Sequence, residues 1–459
     1  MKIPHWPIYT GPNKDYLQTV PRMKRILQLI SEPHKRLRNV IHITGTKGKG
    51  STALYITHIL RACGHTVNTY TSPHIYECNE RILLDGQQVN DNDLLYAIET
   101  VRLACETATD ANALDIQNPS MFEALTCAAF LLMAQNNADF NVIEVGMGAR
   151  HDATNVFDEN PPLACVFTPI HIDHVRFLGS DVLQVAWNKS FLIKPQTTAV
   201  IISSQSTEVA QLLHKIAKQN NVPNTYTYNI DYYLIFDGAN TPIYHNTKLD
   251  TCFAFQHPNM PGEYQYINAS CAITTCLFLQ THHFTQLLTP TAINQGIQNT
   301  FNIARMQAIT AGPLYRALPP HSLFYMDGAH NQLSAHALAG WILNFIKQTS
   351  SMRQPYFVCL AVARTKGADN TVFLSEFLTN NHPLIDLLIA TRANLESIPE
   401  PPEKIATTGQ QLGFQTATAY DIQQVIYHAN SLNKNKCPIL LICTGSLYLA
   451  RDITAVNNG

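Results

Sequence analysis

Val40-Ile41-His42-Ile43-Thr44-Gly45-Thr46-Lys47-Gly48-Lys49-Gly50-Ser51-Thr52 is the stretch that decides the fold. Asn39 to Thr44, which takes in the residue before this stretch and its first five, is a short apolar run of the kind that forms a buried strand. Gly45, Gly48 and Gly50 follow, interleaved with Lys47 and Lys49. Thr52 to Cys63 then places Ala53, Ile56 and Leu60 on one helical face, with Gly64 as the stop. A strand, a glycine-rich turn and a helix in that order suit a phosphate group. Glycines let backbone N–H groups approach phosphate oxygens, and the helix N-terminus adds a partial positive charge. Lys49 can reach the β and γ phosphates of a nucleotide, and a hydroxyl at Ser51 or Thr52 can bind Mg²⁺. The strict pattern G-x-x-x-x-G-K-[ST] is not met, because Gly50 separates Lys49 from Ser51.

Outward from this loop the same alternation repeats. Thr66 to Tyr70, Asn141 to Val145, Ala164 to Thr168 and Thr198 to Ile202 read as strands. Ala124 to Met133 reads as an apolar helix. Strands alternating with helices imply a parallel sheet covered by helices. Asn224 to Pro258 mixes Tyr, Thr, Phe, Asn and Asp in short alternations, which suggests hairpins at the edge of a first domain. A helix over Asn268 to Thr281 follows. A second α/β unit starts near Ile303, with strands at Leu323 to Met326, Tyr356 to Val362, Leu384 to Ala390 and Ile439 to Cys443, and a helix over Gln332 to Lys347. Glu396 to Glu403 reads as a loop inside it. The expected domains are therefore residues 1–300 and 301–459, two α/β units, the second smaller. A chain of 459 residues is long enough for two or three cores at about 150 residues per domain.

Composition narrows the function classes. The net charge is −2, which argues against a protein built to neutralise nucleic-acid phosphates. No apolar run approaches the ~20 residues of a membrane span. The segment Met1 to Pro7 lacks the apolar stretch of a secretory signal. The 11 cysteines are scattered without a C-x-x-C pair and read as reduced thiols. A cytoplasmic setting is expected.

Other residues gather at expected strand ends, where open α/β sheets bind ligands. Glu144 ends the strand Asn141-Val142-Ile143 and precedes Gly146-Met147-Gly148-Ala149-Arg150. A carboxylate there is costly unless paired or metal-bound, so Mg²⁺ and a structural pair with an arginine are both open. Thr168-Pro169-Ile170-His171-Ile172-Asp173-His174 also leaves a strand, and either histidine fits a ligand or a structural role.

Taken in order, the segments resemble the folylpolyglutamate synthase and dihydrofolate synthase family, part of the Mur ligase superfamily. The resemblance rests on Gly48-Lys49-Gly50-Ser51, Thr71-Ser72-Pro73-His74, Glu80-Arg81-Ile82 and Glu144-Val145-Gly146. It continues through Arg150, Asp152-Ala153-Thr154-Asn155, Asp173-His174 and Leu178-Gly179. Asp327-Gly328-Ala329-His330-Asn331 and Thr444-Gly445-Ser446-Leu447-Tyr448-Leu449 complete it. It implies a P-loop-type first domain, a Rossmann-like second one, and an ATP-dependent ligase that adds L-glutamate to dihydropteroate, to folates, or to both. ADP and phosphate would be released by way of an acyl phosphate.

Residue by residue, the resemblance implies that Gly48, Lys49, Gly50 and Ser51 bind the ATP phosphates and that Asn268 contacts adenine. Arg305 and Asp327 would reach ATP from the second domain. Ser51, Ser72, Glu144 and His174 would hold Mg²⁺, with two ions implied. Lys189 falls where the family carries a lysine carbamylated by CO₂. Lys49, Lys189 and His330 would be catalytic, His330 at the glutamate side. Phe122, Glu123, Asp152 and Ala153 would face the pterin. Small-molecule substrates, no nucleic-acid or membrane partner, and a monomer are expected.

The chain departs from the family at Lys47, where Asn is usual, and at Ala149, where a second glycine is usual and a positive φ is expected. It departs again at Trp187-Asn188-Lys189-Ser190-Phe191-Leu192, where Arg-Glu-Lys-Ala-Gly-Ile is usual, and at Ile303-Ala304-Arg305. Two rivals stand beside the leading reading: a Mur-type ligase acting on a cell-wall precursor, and a nucleotide-binding paralogue without catalysis.

Overall fold

The computed structural model describes residues 15–108, 116–283, 288–349, 356–394 and 398–458. Two compact units divide the chain: Met1–Asn259 with Tyr264–Phe301, and Met260–Glu263 with Asn302–Gly459.

The first unit is built on a sheet of β1 (Val40–Thr44), β2 (Val67–Tyr70), β3 (Ile82–Leu84), β4 (Gln87–Gln88), β5 (Phe140–Glu144), β6 (Ala164–Phe167), β7 (Ala199–Ile202) and β8 (Asn224–Thr227). Its order is β4-β3-β2-β5-β1-β6-β7-β8. The six strands from β2 to β8 in that order run parallel, and β3 and β4 make an antiparallel edge. Every residue of β1, β5, β6 and β7 is buried. Burial on both sides is what helices on both faces of a parallel sheet demand, and it encloses the polar side chains of His42, Thr44, Asn141 and Glu144 along with the apolar ones.

The helix Met121–Asn136 is buried along most of its length. Ser120 caps it, and the Glu123 side chain returns to the Ser120 N–H, a reciprocal cap that fixes the helix start. Arg22 then closes on Glu123 from the helix Thr19–Leu29 at 2.6 Å, with both side chains almost fully buried. Removing one partner of such a pair costs about 3–5 kcal/mol.

The expected hairpins over Asn224 to Pro258 divide. β8 adds to the main sheet in parallel. Only β9 (Tyr232–Phe236), β10 (Pro242–Asn246) and β11 (Thr251–Ala254) form an antiparallel sheet of their own. β8 is an edge strand, half-buried at Asn224 and Thr225 and buried at Tyr226 and Thr227.

The second unit carries β12 (Gln307–Ala308), β13 (Leu323–Met326), β14 (Phe357–Val362), the hairpin β15 (Leu378–Thr379) and β16 (His382–Pro383), β17 (Leu387–Ala390), β18 (Thr416–Thr418) and β19 (Ile439–Thr444). Its main sheet runs β12-β13-β19-β14-β17-β18, parallel except for β12. Part of the expected Glu396 to Glu403 loop lies outside the described residues, and the helix Pro402–Gln411 takes its end. The segment Met1 to Pro7 also lies outside them. Among the described residues no helix is long and apolar enough to cross a membrane.

Candidate active site

β1 lies between β5 and β6, so the loops leaving these three strands meet at one end of the sheet. That is the switch point at which open α/β sheets bind ligands. The helix after β1 begins at Lys49 and not at Thr52. Gly48 is its N-cap at φ 84, a left-handed conformation that costs glycine nothing. A Cβ at Gly48 would also lie 2.4 Å from Asn268 Oδ1. Lys49, Gly50 and Ser51 therefore occupy the first helical turn, where N–H groups have no intrahelical acceptor.

The phosphate loop is pinned from β6. The N–H groups of Thr46 and Lys47 donate to Pro169 O. The Thr46 hydroxyl donates to His171 O and accepts from His171 N–H, both at 3.0 Å. His171 thus supports the loop, and its imidazole pKa is lowered by burial and then by Lys47.

Glu144, at the end of β5, is almost fully buried. One carboxylate oxygen accepts the Ser72 N–H at 2.9 Å, and the other lies 3.9 Å from Lys49 Nζ. The arginine pair open to Glu144 in the sequence is not formed with Arg150. That guanidinium stacks on Trp187 and Phe191, 4.8 and 4.9 Å from the ring centroids.

Lys189 is 3 % exposed and donates to Gly45 O at 2.8 Å. Burial first, then the Lys49 charge, lowers its ammonium pKa to about 7. His174 opens a short turn, Val175–Leu178, at φ 48, and its side chain is half exposed beside Asp173. Asn268 is buried on the helix Glu263–His283 and donates to Gln265 Oε1 at 3.1 Å.

The expected pterin contacts have different surroundings. Phe122 is half-buried and stacks on Tyr70 at 6.2 Å, with Arg81 over its ring. Asp152 is buried and accepts from Met147 N–H, Thr154 N–H and the Thr154 hydroxyl, which orders the loop after β5. Burial raises its carboxyl pKa. Glu123 is occupied by Arg22 and the helix cap, and Ala153 lies in the apolar core at 1 % exposure. Both side chains are taken up by the fold itself: Glu123 by the ion pair and the cap, Ala153 by the core. Ala149 corrects an expectation: the positive φ falls on Gly148, at 68°, and Ala149 is a core residue.

In the second unit, Asp327 follows β13. Its two oxygens accept the N–H groups of Met306 and Ala329. This ties the Ala304–Met306 turn to the Gly328–His330 turn. Arg305 lies against Gly328, where a Cβ would come within 3.3 Å of its guanidinium. The His330 Nδ1–H donates to Gly328 O at 2.8 Å, which leaves Nε2 as the acceptor nitrogen of the neutral ring. Arg364, which the sequence reading passed over, is buried after β14 and donates to His330 O at 2.6 Å. A lone arginine after an apolar run carries no local signal for that contact.

Among the described residues no group of three or more His, Cys, Asp and Glu side chains could by itself hold a metal ion. A hard cation here would need the hydroxyls of Ser51 and Ser72 and phosphate oxygens as well, an oxygen-rich set of the type Mg²⁺ takes. The buried Glu144 carboxylate supplies the anion such a site requires.

A glycine-rich strand–loop–helix with lysine, carboxylate and a second, buried lysine defines a nucleotide-binding α/β protein of the phosphate-loop class. The family model of the Mur ligase middle domain matches residues 43–276, and the chain belongs to the Mur ligase family, in its folylpolyglutamate synthase and dihydrofolate synthase branch. It is 28 % identical to a folylpolyglutamate synthase of Arabidopsis thaliana over 75 % of this chain, a match that spans 54 % of that protein. It is 29 % identical to the folylpolyglutamate synthase of Lacticaseibacillus casei, over 95 % of this chain and 96 % of that one. The Mycobacterium tuberculosis folylpolyglutamate synthase complexed with ADP and AMPPCP shares the fold, with a TM-score of 0.79 at 22 % identity over 96 % of this chain and 95 % of that chain.

Proposed function

We propose that the chain is an ATP-dependent amide-bond ligase that joins L-glutamate to dihydropteroate, to a folate, or to both. The observation that carries this reading is the joint placement of Lys49, Glu144 and Lys189 about the phosphate loop. In the first step a substrate carboxylate oxygen attacks the γ-phosphorus of ATP, the bond to ADP breaks, and an acyl phosphate forms. In the second, the glutamate amine attacks the acyl carbon. Phosphate leaves with the former carboxylate oxygen, and the amine gives up a proton.

The chain's part is positioning and charge stabilisation. The first-turn N–H groups from Lys49 onward and the Lys49 ammonium meet the phosphates. Ser51, Ser72, Glu144 and His174 would hold Mg²⁺, which neutralises phosphate charge when bound. A Lys189 amine with pKa near 7 is neutral in about half of the molecules at neutral pH. Only that form can take up CO₂, so its surroundings fit a carbamate. Asn268, beside Gly48, is the adenine contact. Arg305 and Asp327 serve ATP, Arg305 through its charge and Asp327 by holding the turn that carries it. His330 serves glutamate. Phe122 and Asp152 face the pterin, with Glu123 and Ala153 behind them. The eleven cysteines are free thiols, which supports a cytoplasmic setting. A monomer acting on small molecules is the proposed working form.

The test is phosphate release with ATP, Mg²⁺, L-glutamate and either dihydropteroate or tetrahydrofolate. Release is expected only when all components are present. ATP binding without release in either mixture would favour the non-catalytic paralogue or another acceptor.

A further inference from the structure

The helix Val182–Ser190 carries Lys189 at its last turn. The residue before it, Asn188, joins that helix to two other loops. Its Nδ2 donates to Leu178 O at 2.9 Å and to Gln184 O at 3.2 Å. Its backbone carbonyl accepts the Arg150 N–H at 3.1 Å. Leu178 closes the turn that begins at His174, because the N–H groups of Phe177 and Leu178 both donate to His174 O. Arg150 lies in the loop that follows Glu144. Trp187 and Phe191, on either side of Asn188, hold the Arg150 guanidinium against their rings, and the two rings meet edge to face at 4.8 Å. Lys189 itself reaches the phosphate loop through Gly45 O.

We infer that Asn188 is a positioning residue that sets the spacing of His174, Glu144 and Lys189. It touches no substrate. Its side chain links the turn after His174 to the helix that presents Lys189, and its backbone carbonyl ties the loop after Glu144 to the same point. The inference rests on the metal reading of Glu144 and His174 given above. The physical reason is the number of donors. An asparagine side chain supplies an N–H₂ group able to serve two carbonyls at once. A carboxylate in its place has no donor for either and would repel both. The chain places Trp and Phe at 187 and 191, so the tie is reinforced by stacking on Arg150 and not by charge.

The test uses the full-length protein and Mn²⁺ as the probe, in the presence of the non-hydrolysable ATP analogue AMPPCP. Mn²⁺ affinity is read by electron paramagnetic resonance, and thermal midpoint and turnover are read in parallel. Asn188→Ala is expected to weaken Mn²⁺ binding about 10- to 100-fold, the range found when residues that orient metal ligands are removed. AMPPCP affinity measured without metal should stay within about twofold. Asn188→Asp should be at least as weak toward Mn²⁺, and Asn188→Gln should recover part of the loss. Glu144→Gln is the control for the metal reading. Mn²⁺ affinity lowered by Glu144→Gln but unmoved by Asn188→Ala and Asn188→Asp overturns the inference alone. Affinity unmoved by all three substitutions overturns the metal reading and the inference with it. Should Asn188→Ala fail to fold, Asn188→Gln and Asn188→Asp decide the question by the same readout.

Discussion

Glu144 and Asp327 stand at equivalent places in the two units, each where a parallel strand ends and a loop begins. Their carboxylates are used differently. Asp327 gives one oxygen to Met306 N–H and the other to Ala329 N–H, so its charge orders two turns. Glu144 gives one oxygen to Ser72 N–H and turns the other toward the Lys49 ammonium. Both are buried. Asp327 places its charge on backbone N–H groups, and Glu144 keeps charge beside a phosphate loop. An acidic residue at a strand end is therefore not in itself a metal ligand: its partners decide.

The largest effect that could break this contrast is at Lys49. Lys49→Ala should lower turnover about 10²–10³-fold by removing charge from the transferring phosphoryl group, while the thermal midpoint changes little. Near-normal turnover in a steady-state assay would mean that the Glu144 side holds no chemistry. Asp327→Ala should instead act on stability, by about 1.5–3 kcal/mol for each lost hydrogen bond to the charged group. Urea unfolding of the second unit's signal would report it, and a stability equal to the unsubstituted protein would remove the architectural role.

Glu144→Gln sharpens the contrast from the other side. It should raise the Mg²⁺ concentration for half-maximal turnover 10- to 100-fold, by analogy with the cost of disturbing ligand shells, with a smaller change in stability than Asp327→Ala. An unchanged Mg²⁺ titration counts against Glu144 as a ligand. The smallest effect is that of pH. Lys189 has its pKa lowered to about 7, against ~10.4 for an unperturbed lysine. Protonation is thus favoured in the unfolded chain. The native state is penalised below pH 7, and the penalty fades as pH rises from 7 toward 10. The neutral amine falls about tenfold between pH 8 and 6 by the same arithmetic, and turnover should fall with it. Lys189→Ala should lose this limb of the profile and regain some turnover when a small carboxylate is added. A profile unchanged by that substitution would remove Lys189 from the reaction.

The sequence reading found what local pattern encodes. Apolar runs and glycine spacing marked β1, the phosphate loop and its helix. Yet the helix starts at Lys49 and not at Thr52: Gly50, a poor helix former, points to a turn by local pattern but sits inside the first helical turn. The positive φ expected at Ala149 belongs to Gly148, one step earlier in the loop. Long-range partners gave no signal at all. Arg22 lies 101 residues from Glu123, and Lys189 lies 144 from Gly45. Both contacts follow from strand order and helix packing, which no single segment reveals. The roles proposed for the site residues rest on the ordered resemblance, and their partners are given by the fold.

The central claim is that a carboxylate is activated by ATP as an acyl phosphate. It is tested most directly with dihydropteroate or tetrahydrofolate labelled with ¹⁸O in the reacting carboxylate. After turnover with ATP, Mg²⁺ and L-glutamate, the account predicts that the released phosphate carries one ¹⁸O atom from that carboxylate. Phosphate released without the label during amide formation would contradict it.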